Sequence, residues 1–270
     1  MERAKINSPF FYYSSRFFNR TMHAVILLAG YGGRLDRDDL PHKSLLPFGD
    51  QTLLSRHLSC LGELEPDRIH LVLGHNKNAV RDYVLKLGLN LPINFIENDL
   101  YRTTGNTLSM VMGLRQCEGN VVILDGDVLY PKAALYEFVR KGPPTSFALV
   151  PSDIDNDEES ATALLAAQGT IRALITKRAL TGEEKTRFIV GGEAIGFIKL
   201  AAQDTEKFIA LYDRNESEYR EALWEIPFTD FSGETEIRSW PITDGGCFEI
   251  DTQEDYLTAL STFEQNPGKY

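Results

Sequence analysis

The chain has 270 residues, with 28 basic against 39 acidic side chains and a net charge of −11. This balance excludes a surface built for nucleic acid or for anionic membranes, since both need basic patches. The hydrophobic share of 43% suffices for the core of one large α/β domain.

The first 21 residues carry paired aromatic residues among basic ones, without the apolar run of a signal peptide or a membrane span. We expect an extension over 1–21 and one domain over 22–270. Two explanations of the extension remain open: it lies upstream of a physiological start at Met22, or it is an aromatic arm that packs on the domain or on a second subunit. Cys60, Cys117 and Cys247 are widely spaced, which indicates reduced, mostly buried thiols in a cytoplasmic protein.

Short apolar runs alternate with helical patterns as far as residue 150. The predicted strands are 24–28, 69–73, 93–96, 121–124 and 146–150, and the predicted helices are 53–64, 78–87, 107–116 and 132–140. This alternation predicts a Rossmann-like, doubly wound α/β fold with a mostly parallel sheet. In such folds ligands bind outside the carboxyl ends of the strands.

The pattern changes after Pro151, and we expect 151–235 to form a lid or a wall of the substrate pocket. The elements predicted beyond this point are an acidic loop at 153–159, a β-hairpin with strands at 163–167 and 171–176, a strand at 187–200 broken by Gly191-Gly192, helices at 204–214 and 216–223, strands at 236–240 and 247–250, and a last helix at 252–263 capped by Asp251 or Thr252.

The first strand runs into a glycine-rich loop, Leu28-Ala29-Gly30-Tyr31-Gly32-Gly33-Arg34, and Lys43 follows a short way on. Glycines let backbone N–H groups approach an anion, while Arg34 and Lys43 supply positive charge. The loop matches neither the nucleoside-triphosphatase motif nor the full dinucleotide fingerprint. It predicts a phosphate-binding loop of another kind, against the plainer alternative of a tight turn with a surface arginine and lysine.

Two acidic clusters follow later strands. Asp125-Gly126-Asp127 comes directly after the strand at 121–124, and Glu249 and Asp251 lie in an equivalent position near the end of the chain. Residues two apart in a strand share a face, so Glu249 and Asp251 could bind one ion together with Asp127. Carboxylate ligands suit Mg²⁺. The structural alternatives are a turn cap at Asp125, and a strand-end carboxylate plus a helix cap at the later pair.

The loop, together with Lys43-Ser44-Leu45-Leu46-Pro47, resembles the signature of the sugar-phosphate nucleotidylyltransferase superfamily, although His42 here separates Pro41 from the lysine. Asp125-Gly126-Asp127 and the stretch Phe248 to Tyr256 resemble the Asp-x-Asp and Glu-x-Asp-x-x-x-Asp-Tyr motifs of bacterial choline-phosphate cytidylyltransferases. Asn106 and Ser109 resemble the Asn-x-x-Ser beside the nucleotide in that branch, and Trp224-Glu225 resembles a Trp-Asp pair.

The resemblance implies a nucleotide-diphospho-sugar transferase type of fold and an Mg²⁺-dependent reaction. In the implied reaction, a phosphate or phosphonate oxygen of the acceptor attacks the α-phosphate of CTP and pyrophosphate leaves. The resemblance places this reaction in the biosynthesis of cell-surface polysaccharides or of phosphonates. By the same resemblance the catalytic residues are Arg34 and Lys43, and the metal ligands are Asp127, Glu249 and Asp251. The nucleotide-binding residues are Leu28, Ala29, Gly30, Gly32, Gly33, Asn106, Ser109 and Asp125. The predicted acceptor-binding residues are Glu193, Trp224 and Glu225, of which Trp224 and Glu225 depend on the resemblance.

The acceptor is where the sequence departs from that branch, because 157–162 lacks the aromatic residue expected to face a choline group. Glu158, Glu159, Glu193 and Glu225 could instead bind a primary ammonium, which favours aminoethylphosphonate or another amino-bearing acceptor. A solvated loop is the alternative for 153–159. The partners are then CTP and this small acceptor, and a homodimer remains open. The competing hypotheses are a transferase for a sugar 1-phosphate or a molybdenum cofactor, and a catalytically silent nucleotide-binding protein.

Overall fold

The computed structural model describes residues 21–35, 37, 39–152, 161–243 and 245–270. The predicted extension up to residue 20 and the acidic loop at 153–159 lie outside these residues. The strands are β1 Met22–Leu28, β2 Pro47–Phe48, β3 Gln51–Thr52, β4 Arg68–Leu73, β5 Ile93–Glu97, β6 Asn120–Asp125, β7 Val128–Leu129, β8 Ser146–Val150, β9 Thr162–Leu165, β10 Ile171–Ile175, β11 Ile189–Leu200, β12 Arg238–Pro241 and β13 Phe248–Glu249. The α-helices are α1 Leu53–Leu64, α2 Lys77–Lys86, α3 Asn106–Leu114, α4 Lys132–Lys141, α5 Gly182–Arg187, α6 Ala202–Arg214, α7 Glu216–Tyr219, α8 Glu225–Glu234 and α9 Gln253–Gln265.

One large mixed sheet organises this part of the chain, in the order β10-β9-β11-β6-β1-β4-β5, with β8 paired to β11 and β12. The pairings of β1 with β6 and β4, and of β4 with β5, are parallel. The long strand β11 is antiparallel to β6, β8 and β9. The predicted Rossmann-like α/β fold is confirmed, and β1 lies at the centre of its parallel half.

Helices cover both faces of the sheet because β1 is apolar on both. Val25 faces a cluster that includes Phe208 and Phe228 of α6 and α8, and α3 packs on the same side. Ala24 and Ile26 face the opposite cluster, which buries residues of α1, α2 and α4. A third cluster packs α9 against β2 through Phe48, Tyr256 and Phe263. In the part of the chain that the structure describes, no helix is long and apolar enough to cross a membrane.

The elements predicted up to residue 150 are present, and α1 and β8 have the predicted bounds. The hairpin of β9 and β10 is present too, but it extends the edge of the main sheet instead of lying over it. The helix predicted at 216–223 is wrong in length, because α7 ends at Tyr219. Thr252, not Asp251, caps the last helix: its side chain accepts a hydrogen bond from the Asp255 N–H at 3.2 Å.

Two helices that sequence patterns did not predict are α5 and α8. The latter contains Pro227 and Gly233, which are poor helix formers. Pro227 occupies the first turn, where no N–H is needed, and Phe228 and Phe231 are fully buried. Tertiary packing therefore stabilises a helix that local propensity does not favour.

Candidate active site

The glycine loop after β1 and the acidic turn after β6 meet at the carboxyl edge of the sheet, because these strands are parallel neighbours. Gly126 permits the contact: a Cβ atom there would lie 2.3 Å from Leu28 Cδ2 and 2.7 Å from the Leu27 carbonyl oxygen. Its N–H donates to that carbonyl at 3.1 Å. Any larger residue at 126 would force the two loops apart.

A cleft with two adjoining parts opens at this edge. The first, the loop lobe, has a volume of about 240 Å³, and the second, the helix lobe, about 190 Å³; they share Leu27, Gly30, Gly126 and Asp127. The loop lobe is also lined by Leu28, Gly32, Gly33, Arg34, His42, Lys43, Ser44 and Asp251. The helix lobe is also lined by Ala29, Tyr101, Thr104, Gly105, Asn106, Ser109, Asp125 and Glu249.

His42, the departure from the family signature, positions the lysine that follows it. Its Nδ1 accepts a hydrogen bond from the Ser44 N–H at 3.1 Å and caps the short 3-10 turn Lys43–Leu45. Burial lowers the pKa of His42 to about 4, which keeps the ring neutral and Nδ1 able to accept. Gly32, with φ of +65°, leaves the space that the stem of Lys43 occupies, since a Cβ there would lie 3.2 Å from Lys43 Cβ.

Lys43 bridges two of the three predicted metal ligands. Its Nζ lies 2.9 Å from Asp127 Oδ2 and 2.6 Å from Asp251 Oδ1, and its side chain is only 10% exposed. Burial alone would lower the pKa of Lys43, but Asp127 and Asp251 outweigh it and raise that pKa above its ordinary value. Arg34 holds the other oxygen of Asp251 at 2.7 Å. Despite its burial, Asp251 therefore has a pKa below the ordinary range, set by Lys43 and Arg34.

Asp127, Glu249 and Asp251 come together as the sequence predicted, with ligand oxygens within 4.8 Å of one another. Asp127 Oδ1 is buried and has no hydrogen-bond partner. Glu249 lines the helix lobe, and desolvation of its carboxyl together with the charge of Asp127 raises its pKa. A cluster of hard oxygen donors with one unsatisfied buried oxygen fits a divalent cation.

Asn106 and Ser109, predicted to face the nucleotide, line the helix lobe but already have partners. Asn106 Oδ1 accepts from the Trp224 N–H at 2.8 Å, and Ser109 Oγ accepts from Asn98 Nδ2 at 2.9 Å. Tyr101 and Thr104 line the same lobe and were missed. The feature that could have predicted them is their position, just beyond the carboxyl end of β5.

Asp125 lines the helix lobe and is held by contacts from β11 and Trp224. Gly196 of β11 makes room for it, because a Cβ there would lie 2.2 Å from Asp125 Oδ2. That oxygen accepts a hydrogen bond from Trp224 Nε1 at 3.3 Å. Desolvation, followed by the charges of Asp127 and Glu225, raises the pKa of Asp125 well above its ordinary value.

The three residues predicted to bind the acceptor are placed differently from the rest of the site. Trp224 is 3% exposed, and its ring packs against Phe147 and Phe228. Glu225 is buried, its Oε2 has no hydrogen-bond partner, and burial raises its pKa to about 6. Glu193 lies on β11 opposite Val150, half-buried. None of the three is among the described residues that line the two lobes.

Residues 24–193 match the family model described as the MobA-like NTP transferase domain. The chain belongs to this family. The predicted enzyme class, nucleotidyltransferase, is thereby confirmed.

Among curated relatives, the bifunctional protein GlmU of Gloeobacter violaceus is 31% identical over 175 residues, which is 63% of this chain and 37% of that protein. GlmU of Pseudomonas fluorescens is 29% identical over 173 residues, 64% of this chain and 36% of that protein. The chain thus spans little more than a third of the length of these relatives.

Solved structures share the fold at low identity. The CTP:phosphocholine cytidylyltransferase of Streptococcus pneumoniae superposes with a TM-score of 0.71 and 18% identity, over 90% of this chain and 99% of that one. The inositol-1-phosphate CTP transferase of T. maritima gives 0.71 and 19%, over 91% and 97%. A UDP-glucose pyrophosphorylase gives 0.71 and 12%, over 91% and 99%.

Proposed function

We propose that the protein transfers a cytidylyl group from CTP to a small phosphate or phosphonate acceptor that bears an amino group, with Mg²⁺ as the metal and pyrophosphate as the leaving group. One observation carries the proposal. Lys43, almost fully buried, lies where the glycine loop meets the cluster of Asp127 and Asp251, at the carboxyl edge of the sheet.

The loop lobe suits the triphosphate. Backbone N–H groups of the glycines can approach phosphate oxygens closely, and Arg34, with a side chain 49% exposed, can turn from Asp251 toward the cleft. Arg34 and Lys43 are the arginine and lysine among the described residues that line this lobe. Arg34 and the loop would therefore bind the nucleotide in its ground state and in the transition state alike.

Lys43 would act mainly in the transition state. Negative charge grows on the α-phosphate oxygens as the acceptor oxygen attacks and pyrophosphate departs, so an ammonium fixed beside them lowers the barrier. His42 and Gly32 hold the lysine stem in place, and water has little access to it. No covalent enzyme intermediate is required.

Asp127, Glu249 and Asp251 would hold Mg²⁺. When bound, this ion supplies positive charge that stabilises the phosphate oxygens of the transition state. Asp127 and Asp251 also hold Lys43, and their charges fix its ammonium beside the loop lobe. In this way Asp127 and Asp251 would serve both the metal and the catalytic lysine.

CTP is favoured because the sequence resembles the choline-phosphate cytidylyltransferases and because two structural neighbours are named for CTP. For the acceptor, Glu225 would offer a buried oxygen without a hydrogen-bond partner, and it lies close enough to Asp125 to raise the pKa of that residue. A primary ammonium can donate hydrogen bonds to such carboxylates, whereas a trimethylammonium group cannot.

Pyrophosphate release from CTP, UTP, GTP and dTTP, each paired with aminoethylphosphonate, choline phosphate and glucose 1-phosphate, tests the proposal. We expect CTP with aminoethylphosphonate to give the highest kcat/KM. A preference for glucose 1-phosphate would instead favour the second candidate, a sugar-1-phosphate nucleotidylyltransferase, which the fold shared with UDP-glucose pyrophosphorylase supports. Absence of pyrophosphate with every pair would point to a silent nucleotide-binding protein.

A further inference from the structure

A second group of side chains with metal-ligating atoms lies at the opposite end of β1 from the cleft. His23 near the start of β1, His70 on β4 and Cys117 beyond the end of α3 place their ligand atoms within 4.8 Å of one another. Both histidines are buried, and Cys117 is half-buried. Sequence spacing gave no hint of this group, because its members are 47 residues apart at the least and come from three separate elements.

The fold brings the three residues together for a definite reason. Val25 of β1 is paired with His70, so His23, two residues earlier, shares a sheet face with it. Helix α3 covers this face at very short range, since a Cβ on Gly113 would lie 2.6 Å from Val25 Cγ1. Cys117 lies one turn beyond Gly113 and its Sγ–H donates to the Gly113 carbonyl at 3.3 Å. Because Gly113 lets α3 lie this close to β1, the Cys117 thiol lies near the two histidines.

We propose that His23, His70 and Cys117 bind one thiophilic transition-metal ion, Zn²⁺ being the ion that such a donor set fits. His23 Nδ1 and His70 Nε2 face each other at 3.1 Å. Two nitrogens bound to one tetrahedral Zn²⁺ at ~2.0–2.1 Å lie roughly 3.3 Å apart, so little movement of the rings is needed. Three protein ligands leave one position for water.

The chemistry of the donors agrees with this geometry. Burial lowers the pKa of His70 to about 4 and also lowers that of His23, so both rings are neutral and offer lone pairs. Burial raises the pKa of Cys117 to about 12, so metal binding must displace the thiol proton, which leaves to solvent. Imidazole and thiolate favour Zn²⁺ over Mg²⁺, which separates this site from the carboxylate cluster.

Asn94 would not bind the metal itself but would form a hydrogen bond with one of its ligands, His70. The side-chain Nδ2 of Asn94 lies 3.1 Å from His70 Nδ1, the ring nitrogen that is not paired with His23. Histidines that bind metal through one nitrogen commonly donate from the other to an oxygen, which fixes the tautomer. With its amide oxygen turned toward His70, Asn94 would accept that proton and leave Nε2 free for the metal.

Equilibrium titration with Zn²⁺ and with Co²⁺ in excess Mg²⁺ tests the proposal. We expect about one equivalent of Zn²⁺ per chain and, with Co²⁺, a thiolate-to-metal charge-transfer absorption. Cys117→Ser should abolish this absorption and weaken Zn²⁺ binding roughly a hundredfold or more, and Asn94→Leu should weaken it roughly 10- to 100-fold. Cys60→Ser, which removes a buried thiol of α1, is the matched control and should change neither.

The wild-type protein provides a second readout that does not depend on how a variant folds. Zn²⁺ should slow alkylation of Cys117 about tenfold or more, as located by mass spectrometry, and leave alkylation of Cys247 unchanged. The proposal is overturned if wild-type protein shows no thiolate absorption with Co²⁺, if the absorption persists in Cys117→Ser, or if Zn²⁺ leaves alkylation of Cys117 unaffected. In those cases the histidines are a hydrogen-bonded core pair.

Discussion

Replacing Lys43 with methionine removes the charge at the centre of the site but keeps most of the apolar stem. Lys43 is 10% exposed, while its partners Asp127 and Asp251 are 28% and 24% exposed. Breaking a fully buried ion pair by removing one partner costs about 3–5 kcal/mol. Because the two carboxylates are partly solvated, we expect Lys43→Met to lower the free energy of unfolding by about 2–3 kcal/mol at pH 7.

Magnesium should then stabilise the variant more than the wild type, since no ammonium competes for the carboxylates. An ion at ten times its dissociation constant stabilises the folded state by about 1.4 kcal/mol. Turnover should fall about a hundredfold or more, with a smaller change in the KM for CTP, because the lost interaction strengthens as charge develops. Urea denaturation with and without Mg²⁺, beside steady-state kinetics, measures both effects.

Lys77 provides a matched control. It also lies between two carboxylates, at 2.7 Å from Glu97 and 2.6 Å from Asp99, but on the surface. Lys77→Met should leave stability, Mg²⁺ response and turnover close to wild type. The reasoning is refuted if Lys43→Met is as stable as wild type, if Mg²⁺ stabilises both proteins equally, or if only KM changes, which would make Lys43 a ground-state phosphate anchor.

Three further outcomes are expected. Asp127→Asn and Asp251→Asn should each lower kcat about a hundredfold or more with the fold intact, while the surface variant Asp99→Asn should not; near-normal turnover would remove that residue from the metal site. Glu225→Gln should reduce a roughly tenfold preference for aminoethylphosphonate over choline phosphate to about one, as read from kcat/KM; an unchanged preference would exclude Glu225 from acceptor recognition. Burial lowers the pKa of His57 to about 4. As pH falls from 6.5 to 4, the unfolded chain therefore binds a proton that the folded chain does not bind, and the folded state loses stability over that window. His57→Phe should therefore flatten the dependence of the unfolding free energy on pH by about 1.4 kcal/mol per pH unit, and an equal slope in urea titrations would contradict this.

Local signals in the sequence were enough to predict the parallel half of the fold. Thr52 and Ser55 form a reciprocal cap at the start of α1, and the apolar period of that helix continues to Leu64, so both ends could be predicted. Helix α8 had no such signal. It depends on Phe228 stacking on Phe208 at a ring separation of 4.2 Å, a contact between residues of two different helices.

The same distinction between local and long-range signals applies to the residues of the candidate site. The glycine loop and both acidic clusters are contiguous motifs whose chemistry is legible in the sequence, and the parallel pairing of β1 with β6 brings two of them together. Sequence could not give the partners that the side chains hold before substrate binds. The contact of Asn106 with the Trp224 backbone spans 118 residues, and that of Arg34 with Asp251 spans 217. Such pairings depend on how α8 packs on the main sheet and how α9 packs on β2 and β13.

Phosphorus NMR of the reaction products tests the proposed cytidylyl transfer most directly. Protein, CTP, Mg²⁺ and aminoethylphosphonate should yield one product in which the acceptor phosphorus is linked through oxygen to the α-phosphorus of CMP, together with an equal amount of pyrophosphate. Conversion of CTP to CDP and orthophosphate, or a linked product only when a sugar 1-phosphate replaces the phosphonate, would contradict the proposal.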